Sequence, residues 1–489
     1  MSDGGRLKRR RRLVLGLLGV AGALFCPPCP VEAPAAREPS SFAWNADATF
    51  ERLGARFDAA RTAPCPSDIA SRVAVITTEA QALGSAAATA DDARWDQLLS
   101  RTFELTADLP ACADAGPRML EVRNAVWRAA KAASVSWNDQ TGRETLYRLL
   151  YGTRAAAEAL LLQLPAEQAP TLNVVDDVPS PAPALEYEGV RIHSGDLLVS
   201  RGGAPTSAFI ARGNDYPGNF SHVAIVHVDA QGTAQIIEAH IERGVAIATP
   251  EAYFRDKKLR VLVLRLRPDH PAAVANPMLP HEAATAALNE ANARHIPYDF
   301  AMDFDDPEQQ FCSEVASTHY RDLGVTLWET LSSFSSPGLA SWMAAFGVEH
   351  MQTHSPSDLE YDPALAIVAE WHGRDTLFDD HIDNAVIDAM LEQAEAGAPL
   401  DYRYAMLPLA RLAKLYSVAL NLVGKVGPVP EGMSPAVALR ATWLADRHAE
   451  IEAEVDEAVE DFETERGRPP AYWELVPMAQ EAARRTARR

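Results

Sequence analysis

The chain has 489 residues, 47% hydrophobic and 23% charged, which suits a globular protein with more than one core. Its net charge is −22 with histidine neutral, and becomes −27 once the +5 of the first 30 residues is set aside. So acidic a body argues against nucleic acid and against anionic membrane surfaces.

At the N-terminus, Arg6, Lys8 and Arg9 to Arg12 precede an apolar run over residues 13–25, ended by Pro27 and Pro28. This predicts an export signal or N-terminal anchor over residues 1–30, the run being short for a membrane span. Arg10-Arg11-Arg12 fits a twin-arginine signal and a basic general secretory signal alike. Cys26 raises lipidation, although Phe25 is bulky for the residue before a lipidated cysteine. The expected location is exported: periplasmic or envelope-associated in a bacterium, with the N-terminus as a route to the membrane. Cys26 and Cys29 have redox-motif spacing but lack a βαβ context. Beyond them the chain keeps Cys65, Cys112 and Cys312. Cys65 and Cys112 can pair in an oxidising compartment, which leaves Cys312 unpaired.

Residues 31–45, rich in Pro, Ala and Ser, read as a linker. A helical domain is expected over residues 46–170. Leu98, Leu99, Phe103 and Leu105 form one apolar stripe, Met119, Val122 and Val126 another, and a long helix covers residues 143–164. Ser67 and Thr89 look like helix starts. Five prolines within residues 165–186 mark a boundary. Short apolar strands follow at 197–199, 223–228, 236–239, 245–248 and 261–266, then a helix at 280–294. Tyr298, Phe300, Met302 and Phe304 alternate with Asp299, Ala301 and Asp303, the period of a strand. From Cys312 onward, Val315, Ala316, His319, Tyr320 and Leu323 share a helical stripe, with Gly324 as its stop. Residues 373–489 are again helical. There Ile451, Val455, Val459 and Phe462 run along an acidic helix that reads as a solvated face. The fold class is α+β, a small antiparallel sheet with helices between all-α flanks.

A lone cysteine opening a helix has the makings of a nucleophile, because the helix N-terminus favours a thiolate and offers N–H groups to an oxyanion. It needs an imidazole, and the imidazole needs an orienting group. His222, entering a strand from a loop, is the candidate base. His227, at an odd offset, faces the other way. Glu238 is an ionisable residue in an apolar strand and therefore requires a partner, with His240 on the same face as the competing third member. No metal or cofactor is expected, since a second close Cys or His ligand is missing.

Gly195-Asp196-Leu197-Leu198, Ser221-His222-Val223-Ala224-Ile225, Ile237-Glu238-Ala239, Tyr298-Asp299-Phe300, Phe311-Cys312-Ser313-Glu314 and Pro356-Ser357-Asp358-Leu359 together resemble the YiiX/YebB-like permuted papain-fold amidases, relatives of the NlpC-type cysteine hydrolases. His222 precedes Cys312, which is the permuted order. The resemblance covers residues 186–372. It implies Cys312 as nucleophile, His222 as general base and acid, Glu238 as orienting acid, and Tyr298 as a pocket residue. The implied reaction is cleavage of an amide or ester through a thioester, with cell-wall peptides or lipid amides as substrates. Two alternatives stand beside it. One is a lipid acyltransferase of the same fold, with Phe209, Ile210, Tyr253 and Phe254 as an apolar lining. The other is a non-catalytic envelope-binding scaffold.

Overall fold

The computed structural model describes residues 48–488. The expected export signal, the linker and the Cys26–Cys29 pair lie outside the described residues. Five helices come first: α1 (Ala48–Thr62), α2 (Ile69–Ser85), α3 (Arg94–Asp108), α4 (Ala115–Ala133) and α5 (Gln140–Leu161). The stripes carrying Leu98, Leu99, Met119, Val122 and Val126 are all buried. Asp139 caps α5 by accepting the Gly142 N–H at 2.8 Å. Ser67 and Thr89 cap nothing: the residues preceding α2 and α3 are Asp68 and Ala93. A Cys65–Cys112 disulfide, with a Cα–Cα distance of 4.9 Å, ties this layer together. Crosslinking a segment of that length stabilises by about 3–4 kcal/mol.

The strands are β1 (Leu172–Val174), β2 (Ala184–Tyr187), β3 (Val190–His193), β4 (Leu197–Gly202), β5 (His222–Val228), β6 (Ala234–His240), β7 (Gly244–Ala248), β8 (Lys258–Leu266), β9 (Ser332–Ser333), β10 (Gln352–Thr353) and β11 (Leu365–His372). Seven of them form one antiparallel sheet in the order β1-β11-β8-β4-β5-β6-β7. All five expected strands are in it. So is β1, inside the proline-rich stretch read as a plain boundary, because its three residues pair with Ala369 to Trp371. Alternate residues feed two cores. Val199, Val223 and Ile225 face one, and Leu198, Ala224 and Val226 face the other.

Short helices connect or follow these strands: α6 (Pro205–Arg212), α7 (Pro250–Arg255), α8 (Pro271–Ala275), α9 (Leu279–Ala293), α10 (Glu314–Asp322) and α11 (Pro337–Phe346). Tyr298 to Phe304 is a loop, not a strand. The Asp299 carboxylate accepts the N–H groups of Ala301 at 2.7 Å and Asp303 at 2.6 Å, and Met302 sits at φ 61°. That local carboxylate turn competes with strand pairing and wins.

Four helices end the chain: α12 (Arg374–Glu395), α13 (Leu407–Asn421), α14 (Pro435–Arg466) and α15 (Tyr472–Thr486). The stripe on α14 is not a solvated face, since Ile451, Val455 and Val459 pack against α12 and α15 residues in a third core. None of the described helices is long and apolar enough to cross a membrane.

Buried ion pairs join both helical flanks to the sheet. Arg154 of α5 reaches Glu360 at 2.7 Å and also Glu370 of β11. Arg260 of β8 meets Glu158 of α5 and Asp380 of α12, both at 2.5 Å. Such pairs add little to stability over an apolar core, yet removing one partner leaves an uncompensated buried charge. Arg154→Ala is therefore expected to cost about 3–5 kcal/mol in denaturant unfolding, while a loss below ~1 kcal/mol would show the network to be dispensable.

Candidate active site

Strand register assembles the polar centre. Ala224 of β5 pairs with Glu238 of β6, so continuing the ladder sets His222 opposite His240 and diagonal to Glu238, all on one face. The Glu238 carboxylate, 3% exposed, bridges the two rings: His222 Nε2 donates to Oε2 at 2.7 Å, and His240 Nε2 lies 3.0 Å from Oε1. Arg243 Nη2 is also 3.0 Å from His240 Nε2. A guanidinium only donates, so it competes with Glu238 for that nitrogen. Burial alone would raise Glu238, but the hydrogen bonds from His222 and His240 outweigh it and hold the carboxyl below its ordinary range. His222 moves the other way. Burial lowers its pKa, and Glu238 only partly opposes that. His227 lies apart, stacked on His281 with ring centres 5.4 Å apart.

Cys312 is buried and free. It does not begin a helix as expected. Helix α10 starts at Glu314, whose carboxyl reaches back to accept the Phe311 N–H at 2.9 Å and fixes the turn that carries the cysteine. Nor is the thiol tuned toward thiolate. Burial pushes it up to about 11, against the opposing pull of the Val223, Ser313 and Cys312 N–H groups. Its sulfur lies 4.0 Å from the Ser221 carbonyl, directly beside the start of the His222 strand. The thiol and the His222 imidazole therefore both favour their neutral forms.

Two cavities meet at Cys312. One is a cleft of about 410 Å³ whose walls include His222, His240, Asp256, Lys257 and Lys258. The other is an apolar pocket of about 110 Å³, lined by Phe209, Ile210, Phe300, Met302, Phe334, Met343, Phe346 and Met433 among others. Tyr298, Ile210 and Cys312 border both. Tyr298 is buried and kept protonated, its pKa raised first by burial. His354, another pocket residue, stacks on Phe304 and Trp328 at 4.4 and 5.0 Å, and burial takes it down to about 4, so it presents a neutral ring. Of the four residues expected as an apolar lining, Phe209 and Ile210 serve. Tyr253 instead donates to Ser200 at 3.1 Å, and Phe254 stacks on Tyr187.

Ser357, quoted above only as part of a motif and given no role there, has a hydroxyl that accepts the Phe220 N–H at 3.0 Å and donates to the Phe220 carbonyl at 2.9 Å. It clamps the loop that delivers His222. The pocket residues after 330 were also missed, because they come from distant segments.

A seven-stranded antiparallel sheet with a histidine strand ahead of a cysteine turn defines a permuted papain-like domain. Residues 191–369 match the model of a family described as permuted papain-like amidase enzymes, YaeF/YiiX, C92. No curated protein and no solved structure gave a significant match to the chain.

Glu314 offers a check on the local chemistry. Burial raises its carboxyl from 4.5 to about 9. The folded state thus holds this proton more tightly than the unfolded chain. The associated stability is fully present below pH 4.5 and is lost as pH rises through about 9. Glu314→Gln is expected to flatten the decline of melting temperature over that interval, and an unchanged slope would contradict a protonated Glu314.

Proposed function

We propose that the protein is a cysteine hydrolase of amides or esters in which an apolar acyl group is joined to a polar remainder. The carrying observation is the position of Cys312 at the junction of an apolar pocket and a polar cleft. The amidase family matched by residues 191–369 supports the reaction class. The acyl group belongs in the pocket, which has almost no polar lining. The polar leaving group and the incoming water belong in the cleft, where the charged residues are.

In this reading His222 uses Nε2 on Glu238, which leaves Nδ1 as the proton acceptor. As the Cys312 sulfur attacks the carbonyl carbon, its proton passes to His222 Nδ1, and the imidazolium so formed is stabilised by Glu238. Collapse of the tetrahedral adduct expels the amine or alcohol, which takes that proton, and leaves a Cys312 thioester. Water then attacks with His222 again as base, releasing a carboxylate and restoring the thiol. The N–H groups of Cys312 and Ser313 lie next to the reacting sulfur and supply oxyanion donors. His240 shares Glu238 with His222 and acts as a positioning residue, while Tyr298 shapes the passage between pocket and cleft.

The lining favours a lipid amide over a cell-wall peptide. Acyl transfer to a second acceptor is the alternative reading, favoured by the same pocket. The Cys65–Cys112 disulfide supports an exported, envelope location, because such bonds persist in oxidising compartments.

Hydrolysis of 4-nitroanilides and 4-nitrophenyl esters from acetyl to dodecanoyl tests the reading. Each methylene buried is worth about 0.8 kcal/mol, so kcat/KM should climb about fourfold per carbon until the pocket is full. Cys312→Ala should abolish turnover, and His222→Ala should lower kcat by roughly 10²–10⁴-fold. A rate indifferent to chain length, or one surviving in Cys312→Ala, would overturn the proposal. An added amine or alcohol that diverts the acyl group from water would favour transfer instead.

A further inference from the structure

The C-terminal region contains a surface unlike the rest of the described residues. Of the fourteen large hydrophobic residues that are strongly exposed among the described residues, ten lie between Tyr404 and Val426. Helix α13 buries only a narrow stripe, Leu407, Ala410 and Ser417. Leu409, Leu412 and Leu415 of α13 are 58%, 52% and 66% exposed, and Leu422 in the turn beyond it reaches 84%. A water-facing helix normally carries its polar residues on that side. The charge is as unusual as the apolarity. Residues 402–430 contain Arg403, Arg411, Lys414 and Lys425 and no acid, in a chain of net charge −22.

This surface is continuous with the pocket. Lys414 Nζ donates to the carbonyls of Pro430 and Glu431, at 2.7 and 2.5 Å. Gly432 is packed against Phe300 and the Tyr298 carbonyl so closely that a Cβ would lie 2.7 and 2.8 Å from them. Met433 lines the apolar pocket itself. The exposed helix and the pocket wall are therefore one connected piece.

We infer that α13 and the turn after it dock the protein on an anionic phospholipid surface, lying flat with the leucines in the acyl-chain boundary and Arg403, Arg411 and Lys425 at the headgroups, Lys414 being held inward by the Pro430 and Glu431 carbonyls. An amphipathic element with basic residues beside its apolar face binds such an interface through both terms. A second copy of this chain is the poorer occupant, because a symmetric pairing would bring Arg403, Arg411 and Lys425 of each copy together. The overall acidity of the chain does not oppose docking, since screening confines the interaction to about 8–10 Å from the surface. The docking needs no turnover and is independent of the hydrolase reading.

The test uses full-length Cys312→Ala protein, in which no catalysis occurs, with vesicles of phosphatidylcholine alone or mixed with phosphatidylglycerol. Hydrogen exchange reads the 404–426 segment locally, so binding through any other part of the chain is distinguished. The expected result is protection of that segment by the mixed vesicles, weaker in high salt. It should fall at least about tenfold with Leu412→Glu combined with Leu415→Glu, whose circular dichroism should stay that of the parent. Both positions are exposed, so folding is not at risk. Bound protein with no protection at 404–426 would overturn the inference. So would protection that rises with protein concentration in the absence of vesicles, which would identify a second copy as the occupant.

Discussion

The site depends on a charge placed inside a sheet. Glu238 lies between Ile237 and Ala239 in a strand buried on both faces, where a lone carboxylate would be strongly disfavoured. It is tolerated because the register with β5 brings His222 within hydrogen-bond reach and His240 follows two residues later on the same face. Without the imidazoles the acid would be protonated or the strand would not pack. Without the acid, His222 would lose the hydrogen-bond partner of its Nε2. The remaining structure secures this arrangement. Ser357 holds the loop before His222, Glu314 holds the turn that bears Cys312, and the buried ion pairs anchor the helices on either side.

Burial then decides how the chemistry is run. The thiol and the imidazole are both driven toward neutrality by desolvation, and the N–H groups around the sulfur do not reverse this. A permanently ionised thiolate would meet oxidants and electrophiles continually. A neutral thiol needs a base to take its proton during attack, the role proposed above for His222. The mainly apolar lining that imposes this behaviour also fits the acyl group of the proposed substrates.

Much of this could be read in the sequence, for identifiable reasons. Strands β4 to β8 are apolar runs long enough to announce themselves, and Glu238 stands out because it interrupts one. His222 is marked by its place at a loop–strand junction. The cysteine turn was legible as a position but not as a chemical state, since its desolvation comes from segments far away in the chain. Tyr298 to Phe304 shows the limit of alternation as a signal: Asp299 offers the backbone hydrogen bonds that a partner strand would have to supply. Strand β1 is three residues long among prolines and exists only because β11 presents an edge to it. The apolar pocket draws on residues from 206 to 441, a grouping that no local pattern reveals. Net charge is a whole-chain quantity, and −22 conceals a basic, apolar segment near the chain's end.

The central claim is that Cys312 carries the acyl group. Mixing the protein with a dodecanoyl ester, quenching in acid within the turnover time, and measuring intact mass followed by peptide mapping tests it directly. The account requires a dodecanoyl increment on the peptide containing Cys312, absent from Cys312→Ala and strongly reduced in His222→Ala. Turnover of the ester with no adduct on Cys312, and at an unchanged rate in Cys312→Ala, would contradict it.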